Sequence, residues 1–297
     1  MAATRGEQFA GVTVALVTPF QNGDIDWDDL GQLVDWHVEQ GTDGLVPCGT
    51  TGESPTLDHE EHERVVAFVC ERARGRLKIM AGTGSNSTRE AIRMTKAAKK
   101  AGAHGTLQVG PYYNKPTQEG YFRHFGAIAE ACDLPQVIYN IPGRTGSEIA
   151  AETLARLAEA YPTVVAVKEA TGKLDMASQV AALTDLTILS GDDSLTLPMM
   201  SVGAQGVISV TSNVMPREVT EMTHAALKGD YERAGRIHAK LFPLFKDLFI
   251  ETNPIPVKAA LAMMGQMEEI FRLPLVPLTD NNKAQLHKTL AALGLVK

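Results

Sequence analysis

Residues 136–170 read QVIYNIPGRTGSEIAAETLARLAEAYPTVVAVKEA, and this stretch decides the fold. Gln136–Tyr139 and Val164–Lys168 are short runs rich in β-branched residues, apolar on successive rather than alternate positions. That is the pattern of a parallel strand covered on both faces. Between them Ala151–Ala160 is amphipathic at helical spacing, and Pro142, Gly143 and Gly146 mark the segment before it as a loop. The stretch is therefore a strand–helix–strand unit.

The same unit recurs outward in both directions. Val12–Val17, Gly44–Cys48, Leu77–Ala81 and Gly105–Val109 precede it as candidate strands, and Thr187–Leu189 and Gly206–Val210 follow. Amphipathic segments such as Asp58–Ala73, Thr88–Ala101 and Gln118–Ala131 lie between, several opening on Asp, Ser or Thr and closing near Gly. Eight such repeats predict an α/β fold of the (β/α)₈ barrel type. An open doubly wound sheet usually has fewer units and, in dinucleotide binders, a Gly-rich turn after the first strand. Here Thr18-Pro19-Phe20 follows instead. From about Met215 the pattern is helical only, with Tyr231–Phe249, Ile255–Met264 and Asn281–Leu293. We expect a catalytic barrel over residues 1–230 and a small C-terminal helical domain over 231–297, packed on the barrel or on a neighbouring subunit.

The composition, 44% hydrophobic and 21% charged over 297 residues, supplies a sizeable core. The net charge of −7 is spread along the chain, which gives neither a basic stripe for nucleic acid nor a polybasic membrane anchor. No stretch approaches the roughly 20 apolar residues of a membrane span, and no signal-peptide pattern opens the sequence. Three dispersed cysteines, Cys48, Cys70 and Cys132, suggest reduced thiols and a cytoplasmic location. Cys48 lacks a flanking His/Asn arrangement and reads as a small buried hydrophobe.

A barrel carries its chemistry at the carboxyl ends of its strands. Lys168 ends the apolar run Val164–Val167, where burial disfavours the ammonium form and frees the amine to attack a carbonyl. The competing reading is a strand-end lysine paired with Glu169, and position alone does not separate the two. Tyr139, ending the adjacent strand, could shuttle protons through Thr51 and Tyr113. Arg144, in the Gly/Pro loop, suits bidentate capture of a carboxylate. The loop Gly49-Thr50-Thr51-Gly52-Glu53 would offer backbone N–H groups and two hydroxyls to a small anion. Gly82-Thr83-Gly84 lacks the third glycine of a dinucleotide fingerprint. His59 and His62 share a helix face without a third metal ligand at a usual spacing, so no metal is expected.

Together these residues resemble the dihydrodipicolinate synthase and N-acetylneuraminate lyase superfamily of pyruvate-dependent aldolases. The likeness runs from Gly11 to the C-terminal helices. It is carried by Gly49–Glu53, by Tyr139 through Pro142-Gly143-Arg144-Thr145-Gly146, and by Val167-Lys168-Glu169-Ala170. Pro111-Tyr112-Tyr113-Asn114-Lys115-Pro116, Arg144 and Ser190-Gly191-Asp192-Asp193 look most like the dihydrodipicolinate synthase branch. The resemblance implies a pyruvate imine on Lys168 with no other cofactor. Its enamine would attack L-aspartate-4-semialdehyde to give 4-hydroxy-tetrahydrodipicolinate, on the diaminopimelate route to L-lysine. It further implies a relay of Tyr139, Thr51 and a Tyr113 reaching in from a neighbouring subunit of a homotetramer built as a dimer of dimers. Thr50 and Thr51 would hold the pyruvate carboxylate and Arg144 that of the semialdehyde. Gly191 and Ile208 would contact substrate or the lysine through backbone.

In lysine-inhibited relatives of this kind the effector binds at the tight-dimer interface, and the positions matching it are Ser54, His59, His62, Asn86, Glu90 and Tyr112. Feedback inhibition by L-lysine is thus expected, with Glu90 pairing the effector's α-amino group. Two alternatives remain. One is a pyruvate aldolase of the same fold acting on N-acetylneuraminate, 2-keto-3-deoxygluconate or 4-hydroxy-2-oxoglutarate, disfavoured by Arg144 and the Tyr112-Tyr113 pair. The other is a non-catalytic sensor of small carboxylates, disfavoured because every essential group is retained.

Overall fold

Eight parallel strands close into a ring in the computed structural model, which describes residues 4–297. They are β1 (Gly11–Ala15), β2 (Gly44–Val46), β3 (Lys78–Gly82), β4 (Gly105–Val109), β5 (Gln136–Asn140), β6 (Val164–Glu169), β7 (Thr187–Ser190) and β8 (Gly206–Ser209). Each pairs with its neighbours in sequence, and β8 completes the ring against β1. Every residue of β1, β2 and β5 through β8 is buried, as their unbroken apolar runs require. At the seam Gly206 faces Gly11, and a Cβ on Gly206 would sit 2.6 Å from the Gly11 nitrogen. Only glycine lets the two backbones approach so closely.

Around the ring lie α1 (Trp27–Gln40), α2 (His59–Ala73), α3 (Thr88–Lys100), α4 (Gln118–Ala131), α5 (Ala151–Ala160), α6 (Leu174–Leu183), α7 (Thr196–Ser201) and α8 (Pro216–Leu227). Asp58 and Glu61 form a reciprocal capping box that starts α2, and the Thr117 hydroxyl caps α4. Each helix buries one stripe: α5 turns Leu154 and Leu157 inward, where truncation of either to alanine costs about 2–5 kcal/mol.

Strand and helix ends fall within two residues of the positions expected from sequence. The strand expected over Gly44–Cys48 stops at Val46 because Pro47 has no N–H and Cys48 takes a left-handed conformation, φ 56°. Two elements went unread: the helical turn Pro142–Thr145, expected as loop, and a short antiparallel pairing of Phe20–Gln21 with Asp24–Ile25. The turn of that pairing is Asn22-Gly23, both with positive φ, a hairpin signal visible in the sequence.

Three helices follow the barrel, α9 (Tyr231–Asp247), α10 (Ile255–Met263) and α11 (Asp280–Ala292). Helix α9 packs on α8, and α10 contacts both α11 and the turn after β8. Helix α10 is buried from Ile255 through Leu261, so the C-terminal segment is fastened to the mouth of the barrel. Among the described residues no helix is long and apolar enough to cross a membrane.

Candidate active site

Lys168, on the fifth residue of β6, stands level with Tyr139 of β5 and Leu189 of β7 in the strand register. It is 6% exposed, and its Nζ lies 4.1 Å from the Tyr139 ring centroid. Burial brings its pKa down to about 7, against an opposing pull from Asp193 and with a further push from Arg144. The pairing with Glu169 does not form. The Glu169 carboxylate instead accepts from the Thr171 amide at 2.7 Å and from Asn140 Nδ2 at 3.4 Å. Strand pleating explains this, since neighbours on β6 point to opposite faces. Gly191 leaves the lysine its space: a Cβ there would stand 3.0 Å from Lys168 Cε and 2.7 Å from the Ala170 Cβ.

Asp193 has an anchoring role that the sequence reading did not assign. Buried under β8, it accepts from Ser209 Oγ at 2.5 Å and from the amides of Val210 and Thr211 at 3.0 Å each. Burial nonetheless raises its pKa, with those hydrogen bonds opposing. It thereby fixes the turn that follows Ile208, which is 1% exposed in β8.

Tyr139 is buried, and burial pushes its phenol well above the ordinary range, with Arg144 opposing. The ring therefore carries its proton at neutral pH and can hand it over only as another replaces it. Thr51, 2% exposed, has its Oγ1 3.0 Å from Asn253 Nδ2, which donates to it. Arg144 sits in a helical turn, Pro142–Thr145, and its Nη2 donates to the Asn253 carbonyl at 3.1 Å. Asn253 comes from the segment before α10, which sequence reasoning passed over.

The Thr50–Glu53 loop corrects one expectation. The amides of Gly52, Glu53 and Ser54 are committed to the carbonyls of Gly49 and Thr50, so they cannot serve an anion. Those of Thr50 and Thr51 have no protein acceptor among the described residues. The loop is clamped from two sides. Thr18 Oγ1 donates to the Gly52 carbonyl at 2.7 Å, and Glu53 is ion-paired to Lys258 of α10 where both are fully buried. Lys258 was legible as a lone cation in the apolar run Ile255–Met263, but its partner was not.

One cavity of about 430 Å³ runs from Thr50, Tyr139 and Arg144 to Ser54, His59 and Glu90. At its far end His59 Nε2 meets Glu90 Oε1 at 2.6 Å, and Ser85 Oγ donates to the other oxygen of the same carboxylate. The Ser85 hydrogen bond, followed by that of His59, holds the Glu90 carboxyl below its ordinary range. His62 turns inward, its Nε2 2.8 Å from the Gly82 carbonyl, and burial lowers its pKa. The two histidines thus share a helix but not a ligand, and among the described residues no three metal-ligating side chains cluster. Asn86 Nδ2 donates to the Tyr112 carbonyl at 3.2 Å. Cys48 is buried against the His62 carbonyl, and burial pushes its thiol up, away from nucleophile chemistry. Tyr113 does not join Tyr139 and Thr51: it is 90% exposed, on a loop residue with φ 71°.

Residues 8–293 match the Dihydrodipicolinate synthetase family. The 4-hydroxy-tetrahydrodipicolinate synthase of Aquifex aeolicus (strain VF5) is 53% identical over 97% of this chain and 98% of its own length. A crystal structure of dihydrodipicolinate synthase from Aquifex aeolicus superposes with a TM-score of 0.96 at 52% identity, covering 97% and 99% of the two chains. The enzyme of Acinetobacter baumannii complexed with pyruvate gives 0.94 at 46% identity, again over 97% and 99%. That of Cyanidioschyzon merolae with lysine bound gives 0.95 at 44%, with the same coverage.

Proposed function

This chain belongs to the dihydrodipicolinate synthetase family, and on that premise we propose that it condenses pyruvate with L-aspartate-4-semialdehyde through an imine on Lys168. It is an enzyme of the pyruvate-dependent class I aldolase type, a lyase. The unpaired, buried Lys168 with its pKa brought down to about 7 carries the reading, because a neutral amine at the mouth of a barrel is poised to attack a ketone.

The amine adds to C2 of pyruvate, and the carbinolamine loses water to give the imine. A methyl proton leaves, and the enamine carbon bonds to the aldehyde carbon of the semialdehyde. The semialdehyde's own amine then displaces Lys168, closing the ring of 4-hydroxy-tetrahydrodipicolinate and freeing the lysine. Tyr139 carries the protons, relayed through Thr51 and a Tyr113 from a neighbouring subunit. The exposure of Tyr113 in its own chain supports that lending, which requires an oligomer, and the oligomer we propose is a homotetramer. Thr50 and Thr51 receive the pyruvate carboxylate on their free amides and on the Thr50 hydroxyl, which leaves the Thr51 hydroxyl to the relay, and Arg144 receives the carboxylate of the semialdehyde. Gly191 and Ile208 line the lysine through backbone. No cofactor beyond the covalent imine is needed, and the site belongs to a cytoplasmic diaminopimelate route. We assign residues 1–230 to catalysis and 231–297 to the helical domain.

The far end of the cavity suits L-lysine, whose α-amino group would pair with Glu90. Ser54, His59, His62, Asn86 and Tyr112 would complete that pocket. A structural relative with lysine bound supports lysine as the ligand.

Adding pyruvate and borohydride and mapping the adduct by mass tests the chemistry. A reduced pyruvate on Lys168 is the expected outcome, and an unmodified Lys168 would sink it. A coupled assay should then show turnover with aspartate semialdehyde and none with the sugar acids. Saturating L-lysine should lower the initial rate; an unchanged rate at low pyruvate rejects the inhibitor site.

A further inference from the structure

Asn253 touches two candidate functional groups at the barrel mouth, one after β2 and the other after β5. Its side chain donates to Thr51 Oγ1 at 3.0 Å, and its carbonyl accepts from Arg144 Nη2 at 3.1 Å. It is 5% exposed, and its Oδ1 is buried without a hydrogen-bond partner among the described residues. A buried acceptor left unpaired costs about 1–3 kcal/mol, a cost that a purely structural asparagine would avoid.

We propose that Asn253 is a positioning residue that sets the direction of the proton relay, an inference that rests on the imine chemistry proposed above. A threonine hydroxyl has one proton and two lone pairs. Because the amide can only donate at Nδ2, it occupies a lone pair of Thr51 Oγ1 and turns the hydroxyl's proton away from itself. Thr51 is then a donor toward Tyr139, and the phenol, replenished from behind, gives its own proton to the oxygen leaving the carbinolamine. Reversing the Asn253–Thr51 bond would point the Thr51 proton into the protein and leave Tyr139 without its supply. The ion pair of Glu53 with Lys258 fixes the segment at both ends, two residues after Thr51 and five after Asn253.

The test uses the intact enzyme and the pyruvate half-reaction. Exchange of the pyruvate methyl protons for deuterium, followed by NMR, reports proton transfer before the second substrate enters. Borohydride trapping of the wild-type enzyme comes first. If no adduct forms on Lys168, the imine reading fails and this inference fails with it.

Given the adduct, Asn253→Leu keeps the branching at Cγ but neither donates nor accepts, whereas Asn253→Asp can only accept. The expected order of exchange rates is wild type, then Asn253→Leu roughly tenfold slower, then Asn253→Asp roughly a hundredfold slower. The pyruvate KM should stay within about threefold throughout, since the relay acts on kcat. An aspartate variant as fast as the leucine variant, or a change confined to KM, overturns the proposal. Should the aspartate variant fail to fold, Asn253→Ser, whose hydroxyl can donate, should exchange faster than Asn253→Leu; equal rates would also overturn it.

Discussion

Two lysines are buried among the described residues, Lys168 at 6% exposure and Lys258 at none, and burial lowers the pKa of both. Lys258 is paired with Glu53, and its Nζ lies 4.4 Å from the Phe20 ring centroid and 5.1 Å from that of Phe271. Lys168 has no carboxylate partner among the described residues; Asp193 acts on it through space while spending its own oxygens on Ser209, Val210 and Thr211. Desolvation is common to the two, and compensation separates them. A compensated lysine stays charged and holds structure together, whereas an uncompensated one becomes a neutral nucleophile.

The largest effect that would break this contrast is on turnover. Lys168→Met should abolish the borohydride adduct and cut kcat by roughly a thousandfold or more, with the melting temperature unchanged or raised. A melting point that fell as far as it does for a change at Lys258 would erase the distinction. The reciprocal change acts on stability first. Glu53→Ala leaves a buried ammonium unpaired and should cost about 3–5 kcal/mol by denaturant unfolding, whereas the pair Glu53→Leu with Lys258→Met should recover most of that loss. Activity would fall with the single change as well, since Thr51 lies two residues from the displaced anchor.

The same contrast marks what could be read without coordinates. The barrel was legible because eight continuous apolar runs alternate with capped helices, and both signals are local. Lys168, Tyr139 and Arg144 were legible because each sits at a strand end or just beyond it, where a barrel exposes side chains. Glu53 with Lys258, and Thr51 with Asn253, were not, because each pair joins residues about two hundred positions apart and no periodicity encodes the partner. The commitment of the Gly52, Glu53 and Ser54 amides was hidden for a different reason. It depends on the left-handed turns at Cys48 and Glu53, residue types that give little warning of positive φ.

The pH dependence sharpens the comparison further. With its pKa brought down to about 7, Lys168 should make the rate of imine trapping rise as pH increases through about 7 and level off above it. A rate still climbing near pH 10 would mean that the amine is not desolvated. Stability carries the matching sign. The unfolded lysine binds its proton up to about 10.5 and the folded one only to about 7, so this group makes unfolding harder as pH rises across that window. Lys168→Met should flatten that part of the stability profile, while leaving Glu53 and Lys258 untouched.

The smallest effect belongs to a pair that water reaches. His224 Nε2 lies 2.8 Å from an Asp43 oxygen that also accepts from the Val12 amide at 2.7 Å, below β1. The hydrogen bond to Asp43 raises the pKa of His224 above its ordinary 6.5, against some desolvation. A raised pKa stabilises the fold fully below 6.5, and that contribution fades as pH climbs through the folded value. With the two side chains 39% and 35% exposed, solvent screening should hold it under about 1 kcal/mol. His224→Gln should therefore leave the midpoint of urea unfolding nearly unchanged at pH 8 and lower it slightly at pH 5.5. A loss at pH 5.5 as large as that of Glu53→Ala would show that pairing, not exclusion of water, makes a buried charge costly to unbalance.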